Sequence, residues 1–210
     1  MRRTFHEELE VLHKSVLQMG CLVEDAVKGA IVTITDTDPS LVTKVIVGDD
    51  KVDQIFNEIE TNCFMMLATQ QPVARDLRLI ACSIRIISDL ERMGDLALNI
   101  AKASPAVNEG KPLVASDVLT RMGNAVSLMI DDALQAFTKY DVSLAESVED
   151  QDDKIDDMYI ELFGKLFDYG GDHEISCAIK SAFVGRYLER IADHCVTIAE
   201  RVNFLVKGMG

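Results

Sequence analysis

No apolar run in this 210-residue sequence approaches the roughly 18 residues that a membrane-spanning helix needs; the stretch CFMMLA at 63–68 is cut by polar neighbours. No transmembrane segment is therefore expected. The opening stretch, MRRTFHEELEVLHK, lacks the apolar core of a signal peptide, and Thr4 with Glu7 reads instead as a helix capping box. Cysteine is sparse: five residues, at 21, 63, 82, 177 and 195, odd in number and without a CxxC spacing. That pattern fits reduced thiols acting as core fillers in a cytosolic protein. Positive charge is also in short supply, with 21 Lys and Arg against 35 Asp and Glu and a net charge of −14. Such a balance argues against nucleic acid and against an anionic bilayer as partners, and it makes a bare phosphate site unfavourable unless a cation intervenes. A glycine-rich phosphate loop, a Ser–His–Asp order and a Cys–His pair are all missing, so the expectation is a protein that is not an enzyme.

Strand-like alternation is nowhere sustained, whereas apolar residues recur at helical spacing almost throughout. The pattern predicts helices over about 5–35, 39–69, 73–103, 115–138, 142–168 and 173–206, an all-α chain. Asp38 is placed to cap the second helix with Pro39 as its first residue, and TQQP turns into the third. ASPAVNEGKP, with Pro105, Gly110 and Pro112, reads as a linker, and Gly170 with Gly171 marks the second hairpin. The halves repeat. MGCLV at 19–23 matches MGNAV at 122–126 and DDKVD at 49–53 matches DDKID at 152–156, both displaced by 103 positions. LERMGD at 90–95 matches LERIAD at 188–193 with a displacement of 98, which puts a deletion near the second hairpin. Two tandem three-helix bundles follow, one over 1–104 and one over 115–210, joined by a linker at 105–114.

The repeated motifs are acidic. Like charges one helical turn apart cost a few tenths of a kcal/mol even when exposed, so their recurrence needs a cause. In an antiparallel hairpin, levels mirror about the turn. Asp49 then faces Asp95 and Asp53 faces Glu91 about a centre at Pro72, while Asp152 faces Asp193 and Asp156 faces Glu189 about a centre between Asp172 and His173. At about 100° per residue, Ile84 and Leu98 share the sector of Glu91 and Asp95, and Val42 and Ile46 that of Asp49 and Asp53, so the carboxylates flank the buried stripe. Lys51 points away, and Arg92 lies about 100° from Glu91, toward the surface.

An isolated ExxxD is ordinarily a solvated face, and a core edge salt-bridged by Arg75, Arg78 or Arg85 is a second plain reading. Four partly desolvated negative charges at one level cost several kcal/mol, roughly, unless protons are retained or a cation sits between them. Occurring twice, the arrangement points to a divalent or trivalent metal: oxygen ligation suits Mg²⁺, Mn²⁺ or iron, with zinc also compatible. Asn57 or Glu60 would add ligands in the first half, where Ile160 and Phe163 offer none in the second. Other candidates fare worse. Glu10 and His13 form an Glu-x-x-His pair, but Leu113 and Ser116 replace them in the repeat and His13 lies about 15 Å from the acidic level, so they read as a surface or packing pair. His194 points about 100° off the site and reads as a surface histidine; Met19 and Met122 read as core fillers.

LATQQPVARDLR at 67–78, ISDLERMGDLALNIA at 87–101 and GRYLERIADHCVTIAERV at 185–202 resemble the PhoU family of phosphate-transport regulators, over the whole chain and including the two-repeat layout. The resemblance implies two three-helix bundles with multinuclear iron or zinc clusters, one on Asp49, Asp53, Glu91 and Asp95 and the other on Asp152, Asp156, Glu189 and Asp193. One departure is Ala192, where the family often has Gly, as at Gly94. It further implies a cytoplasmic, usually dimeric adaptor that restrains high-affinity phosphate uptake and phosphate-starvation signalling. Its partners would be the ATPase subunit of the phosphate ABC transporter and a sensor histidine kinase, so that it meets the membrane only through them. Clustered metals offering open positions would make it responsive to phosphate. Arg75 and Arg78 either face a partner or form helix-start salt bridges with Asp76. Two rivals remain: a carboxylate-bridged metal enzyme, disfavoured by the missing paired histidines, and a metal-free helical scaffold.

Overall fold

The computed structural model describes residues 2–168 and 175–208, with side chains from Phe5 onward. Six helices make up the described residues: α1 (Arg2–Val32), α2 (Pro39–Gln70), α3 (Ala74–Lys102), α4 (Ser116–Lys139), α5 (Val142–Phe167) and α6 (Ile175–Lys207), with no strand among them. The chain is all-α, as its periodicity requires. Asp38 caps α2 by accepting a hydrogen bond from the Ser40 amide at 2.8 Å, with Pro39 in the first turn, where its missing N–H costs nothing. The helix ends at Gln71, in the left-handed region with φ 48°. Its successor starts after Pro72 and an extended Val73. The Gly170–Gly171 turn, the mirror centre at Asp172–His173 and the Thr4 side chain of the expected capping box lie outside the described residues.

Helices α1, α2 and α3 pack on one another, as do α4, α5 and α6, giving two three-helix bundles in tandem. The bundles also pack against each other, α3 on α6 and α1 on α4, so that buried residues of all six helices form one continuous apolar cluster. The α1–α4 contact is reciprocal. A Cβ placed on Gly20 would collide with Leu134, and one on Gly123 would stand 2.6 Å from Ile31 Cγ1. Each pair is the other's repeat equivalent, so two glycines bring α1 and α4 together about a pseudo-twofold axis. Met19 and Met122 beside them are completely buried, as expected of core fillers. Cys63, Cys82 and Cys195 are buried too, whereas Cys21 is exposed and Cys177 half-buried.

Between the bundles, residues 103–111 fold into successive turns. The Asn108 side-chain amide donates to the carbonyls of Ala103 and Ser104, and Leu113 and Val114 are buried. The connection is thus a packed corner. No helix among the described residues is long and apolar enough to cross a membrane.

Candidate acidic site

Helical phase explains how each acidic motif is presented. Asp49 and Glu91 are half-buried, while Asp53 and Asp95, one turn on, are exposed; Asp152 and Glu189 against Asp156 and Asp193 repeat the same division. Each motif sets one carboxylate against the helix–helix contact and one at its rim. Gly94 permits this in the first bundle: a Cβ there would sit 3.1 Å from Asp49 Oδ1 and 3.6 Å from Val52 Cγ1. In the second bundle the equivalent residue is the fully buried Ala192, whose methyl takes up the corresponding space.

Electrostatically the inner carboxylates of each quartet feel the outer ones. Burial pushes the Asp49 carboxyl up to about 6, reinforced by Asp53, Asp95 and Asp50 and opposed by Lys102. Glu91 is raised by burial and by Asp95 and Asp53, against the pull of Arg92 and His194. Asp152 is raised by burial and by Asp156, Asp193 and Asp153; Glu189 is raised by burial and by Asp193 and Asp156. The mirrored levels expected from the hairpins are therefore real neighbourhoods of like charge.

They are not closed coordination spheres. Among the described residues no group of three or more His, Cys, Asp or Glu side chains is arranged to hold a metal ion. The donor chemistry suits a hard cation, since every group at these levels is a carboxylate. Ligation would require the rim residues Asp53, Asp95, Asp156 and Asp193 to turn inward. Their exposure leaves them free to do so, and their side chains make no hydrogen bond or ion pair among the described residues.

Two neighbours distinguish the sites. Arg186, one turn before Glu189, places its guanidinium on that carboxylate, whereas the equivalent residue in the first bundle is Ser88, bonded to the Ile84 carbonyl. Cys195 is completely buried near Asp152, its thiol pushed up by burial and by the charges of Asp152 and Asp89; its equivalent is Ala97. Aligning the two halves residue by residue would have exposed both differences. Arg92 is exposed as expected, touching Glu91 at 3.5 Å. Asn57 is engaged with the Asp53 carbonyl, donating at 2.7 Å.

His194 does point off the site, but it is not a plain surface residue: its Nδ1 lies 3.0 Å from Asp89 Oδ1 on α3, bridging the bundles. Glu10 and His13 do not pair with each other. Glu10 contacts His6, while His13 stacks on Phe137 and shares a hydrogen bond with Tyr140 Oη at 3.2 Å. Arg75, Arg78 and Arg85 form no ion pair among the described residues, so a salt-bridged core edge is not what the structure builds.

The Asp49 shift has a measurable consequence. Between the model-peptide value of 3.8 and about 6, the folded chain holds a proton that the unfolded chain has released. This contribution to stability is complete below about pH 4 and is lost as pH rises through 6. In chelator-treated protein the wild type should therefore gain stability relative to Asp49→Asn as pH falls from about 7 to 5. Parallel melting curves for the two proteins across that window would show Asp49 to be an ordinary solvated carboxylate.

Six helices in two repeated three-helix bundles, with paired carboxylates on each, define an all-α repeat protein with acidic helix faces. Comparison makes this specific. The PhoU domain description matches residues 16–104 and 119–202. A Caulobacter vibrioides protein named phosphate-specific transport system accessory protein PhoU homolog is 35% identical over 209 residues, covering 98% of this chain and 91% of that protein. A Clostridium acetobutylicum protein of the same name is 33% identical over 210 residues, covering 99% and 96%. The crystal structure of PhoU from Pseudomonas aeruginosa superimposes with a TM-score of 0.91 at 35% identity, covering 98% of this chain and all of the other. The chain belongs to the PhoU family.

Proposed function

We propose that this chain is an accessory regulator of phosphate transport whose carboxylate quartets bind metal. What carries the metal part is the doubled quartet: two sets of four carboxylates at repeat-equivalent levels, the inner pair of each raised by burial and then by the charges of its neighbours. Bound iron, zinc, magnesium or manganese would supply the positive charge that a −14 chain lacks, with open positions for phosphate. Asp49 and Glu91 hold fixed oxygens at the helix contact, Asp53 and Asp95 close over them, and Gly94 keeps α3 near enough to α2 for both to reach. The second quartet binds more weakly in this reading, because Arg186 already neutralises Glu189.

The regulatory part rests on the family's transport-system names. The chain acts as a cytoplasmic, dimeric adaptor that restrains high-affinity phosphate uptake and starvation signalling through the transporter's ATPase subunit and a sensor kinase. Recovery of either partner with the tagged chain tests that role.

Elemental analysis tests the metal. Glu91→Gln with Asp95→Asn should empty the first bundle of metal and lower thermal stability in metal-loaded protein only, leaving chelator-treated protein equal or more stable. A metal-free scaffold, which the absence of a closed ligand group favours, predicts unchanged metal content in the double variant.

A further inference from the structure

The seam where α3 meets α6 holds an arrangement that neither the acidic quartets nor the transport role explains. Arg85 and Arg201 line a cavity of about 270 Å³ together with Ala81, Cys82 and Phe204. Arg78 lies one turn before Cys82 and near Gly208, just past the end of α6, where an added Cβ would stand 3.8 Å from its Nη1. All three arginines are close enough to Cys82 for their charge to oppose the burial that raises its thiol, and no carboxylate acts on that thiol. The Cys82 thiol donates to the Arg201 carbonyl at 3.6 Å, joining the two helices beneath the cavity.

None of the three guanidiniums has a carboxylate within ion-pair distance among the described residues, although acidic residues outnumber basic ones 35 to 21. The Nε atoms of Arg78 and Arg201 are moreover buried without any hydrogen-bond partner. A buried donor on a charged group costs more to leave unpaired than a neutral one, so such an atom asks for an acceptor that the chain does not supply.

The internal repeat provides a control. At the positions equivalent to Arg78, Cys82, Arg85 and Arg201 stand Ser176, Lys180, Phe183 and Ala103. The fold thus builds the matching end of the seam without an arginine cluster, and packing alone does not demand one.

We propose that this α3–α6 cavity is an oxyanion site whose ligand is free inorganic phosphate, held by Arg85 and Arg201 with Arg78 adding charge. Guanidinium groups offer planar, two-pronged donation that matches phosphate oxygens. The cavity falls below the roughly 300–1,000 Å³ of sites that enclose drug-sized molecules, so its size matches a small ion better than a whole nucleotide. Locally it overcomes the unfavourable overall charge that speaks against a bare phosphate site. The choice of phosphate among oxyanions rests on the family's place in phosphate transport; the cavity itself does not. Because the site joins one helix from each bundle, occupancy would brace the seam.

The test is calorimetric titration of the full-length chain with orthophosphate in the presence of chelator, with sulfate and ATP as parallel titrants. Orthophosphate should bind saturably. Its affinity should fall at least about tenfold in Arg85→Gln and in Arg201→Gln, and hold in Arg121→Gln, which lies outside the cavity. The chelator separates this site from metal-borne phosphate, which it abolishes. Arg85 is exposed, so its variant remains informative even where Arg201→Gln misfolds. Absence of saturable binding, or binding indifferent to both arginines, overturns the site. Binding seen only when the chelator is omitted moves the phosphate to the metal and overturns it equally. Sulfate binding as tightly as phosphate, or ATP more tightly, overturns the ligand assignment.

Discussion

Phe137→Ala is expected to lower the free energy of unfolding by about 3–5 kcal/mol, the largest loss from any single truncation in this fold. Phe137 is completely buried and is the bulkiest of the fully enclosed side chains. It projects from the last turns of α4 onto α1, where the His13 ring stacks on it at 4.6 Å and 20°. Removing the ring leaves a cavity with a half-buried imidazole on one wall, and that imidazole already resists protonation because of its burial. Water drawn to His13 would then enter the gap between the bundles. The alanine variant therefore loses apolar burial, ring stacking and the support of the His13–Tyr140 hydrogen bond at once. Phe137→Leu retains most of the buried surface and should cost clearly less. Denaturant unfolding of the three proteins measures both differences, and near-equal midpoints would mean that α1 and α4 do not share a core.

The helices were legible because their signals are local. Asp38–Pro39 marks a helix start by chemistry that acts within two residues, and apolar periodicity names the buried faces of each helix without reference to any other. Pairing the acidic levels needed only one further fact, the antiparallel hairpin, since Asp49 then falls beside Asp95 and Asp53 beside Glu91 whatever else the chain does. The contact between bundles was not legible, because it joins residues far apart in sequence. MGCLV and MGNAV announce a repeat, yet the reason for their glycines appears only once α1 lies on α4. His194 read as a surface residue for the same cause: its partner, Asp89, is 105 positions away on the other bundle.

Side-chain direction was the second limit. Spacing places eight carboxylates at two levels but does not say that the outer member of each pair stands open to solvent, nor that Arg186 reaches Glu189. Arg78 was legible as a cation beside Asp76, for which a salt bridge is the ordinary expectation. In the fold it makes no ion pair among the described residues and lies near Gly208, just past the end of α6.

Gly123→Val is the second substitution with a large expected effect, a loss of about 3 kcal/mol. Helix propensity alone argues the other way, since glycine inside a helix costs about 1 kcal/mol relative to alanine. A glycine kept at the centre of α4 therefore needs a steric reason. A Cβ at 123 would lie 2.6 Å from Ile31 Cγ1 and 3.0 Å from both Cδ1 and Cγ2, so three atoms of one side chain would have to move together. Ile31 is buried and branched at Cβ, which leaves it few rotamers into which to retreat. Valine adds two further methyls, and the remaining outlet is separation of α1 from α4. Gly20→Val, the repeat equivalent, meets the flexible ends of Leu134, which can rotate aside, and should cost less. Ile31→Ala, itself destabilising through its cavity, should recover part of the loss when combined with Gly123→Ala, a coupling of about 1 kcal/mol in a double-mutant cycle. Strict additivity of those two substitutions would show that the glycines do not set the distance between the bundles, and that the shared core of α1 and α4 tolerates a gap there.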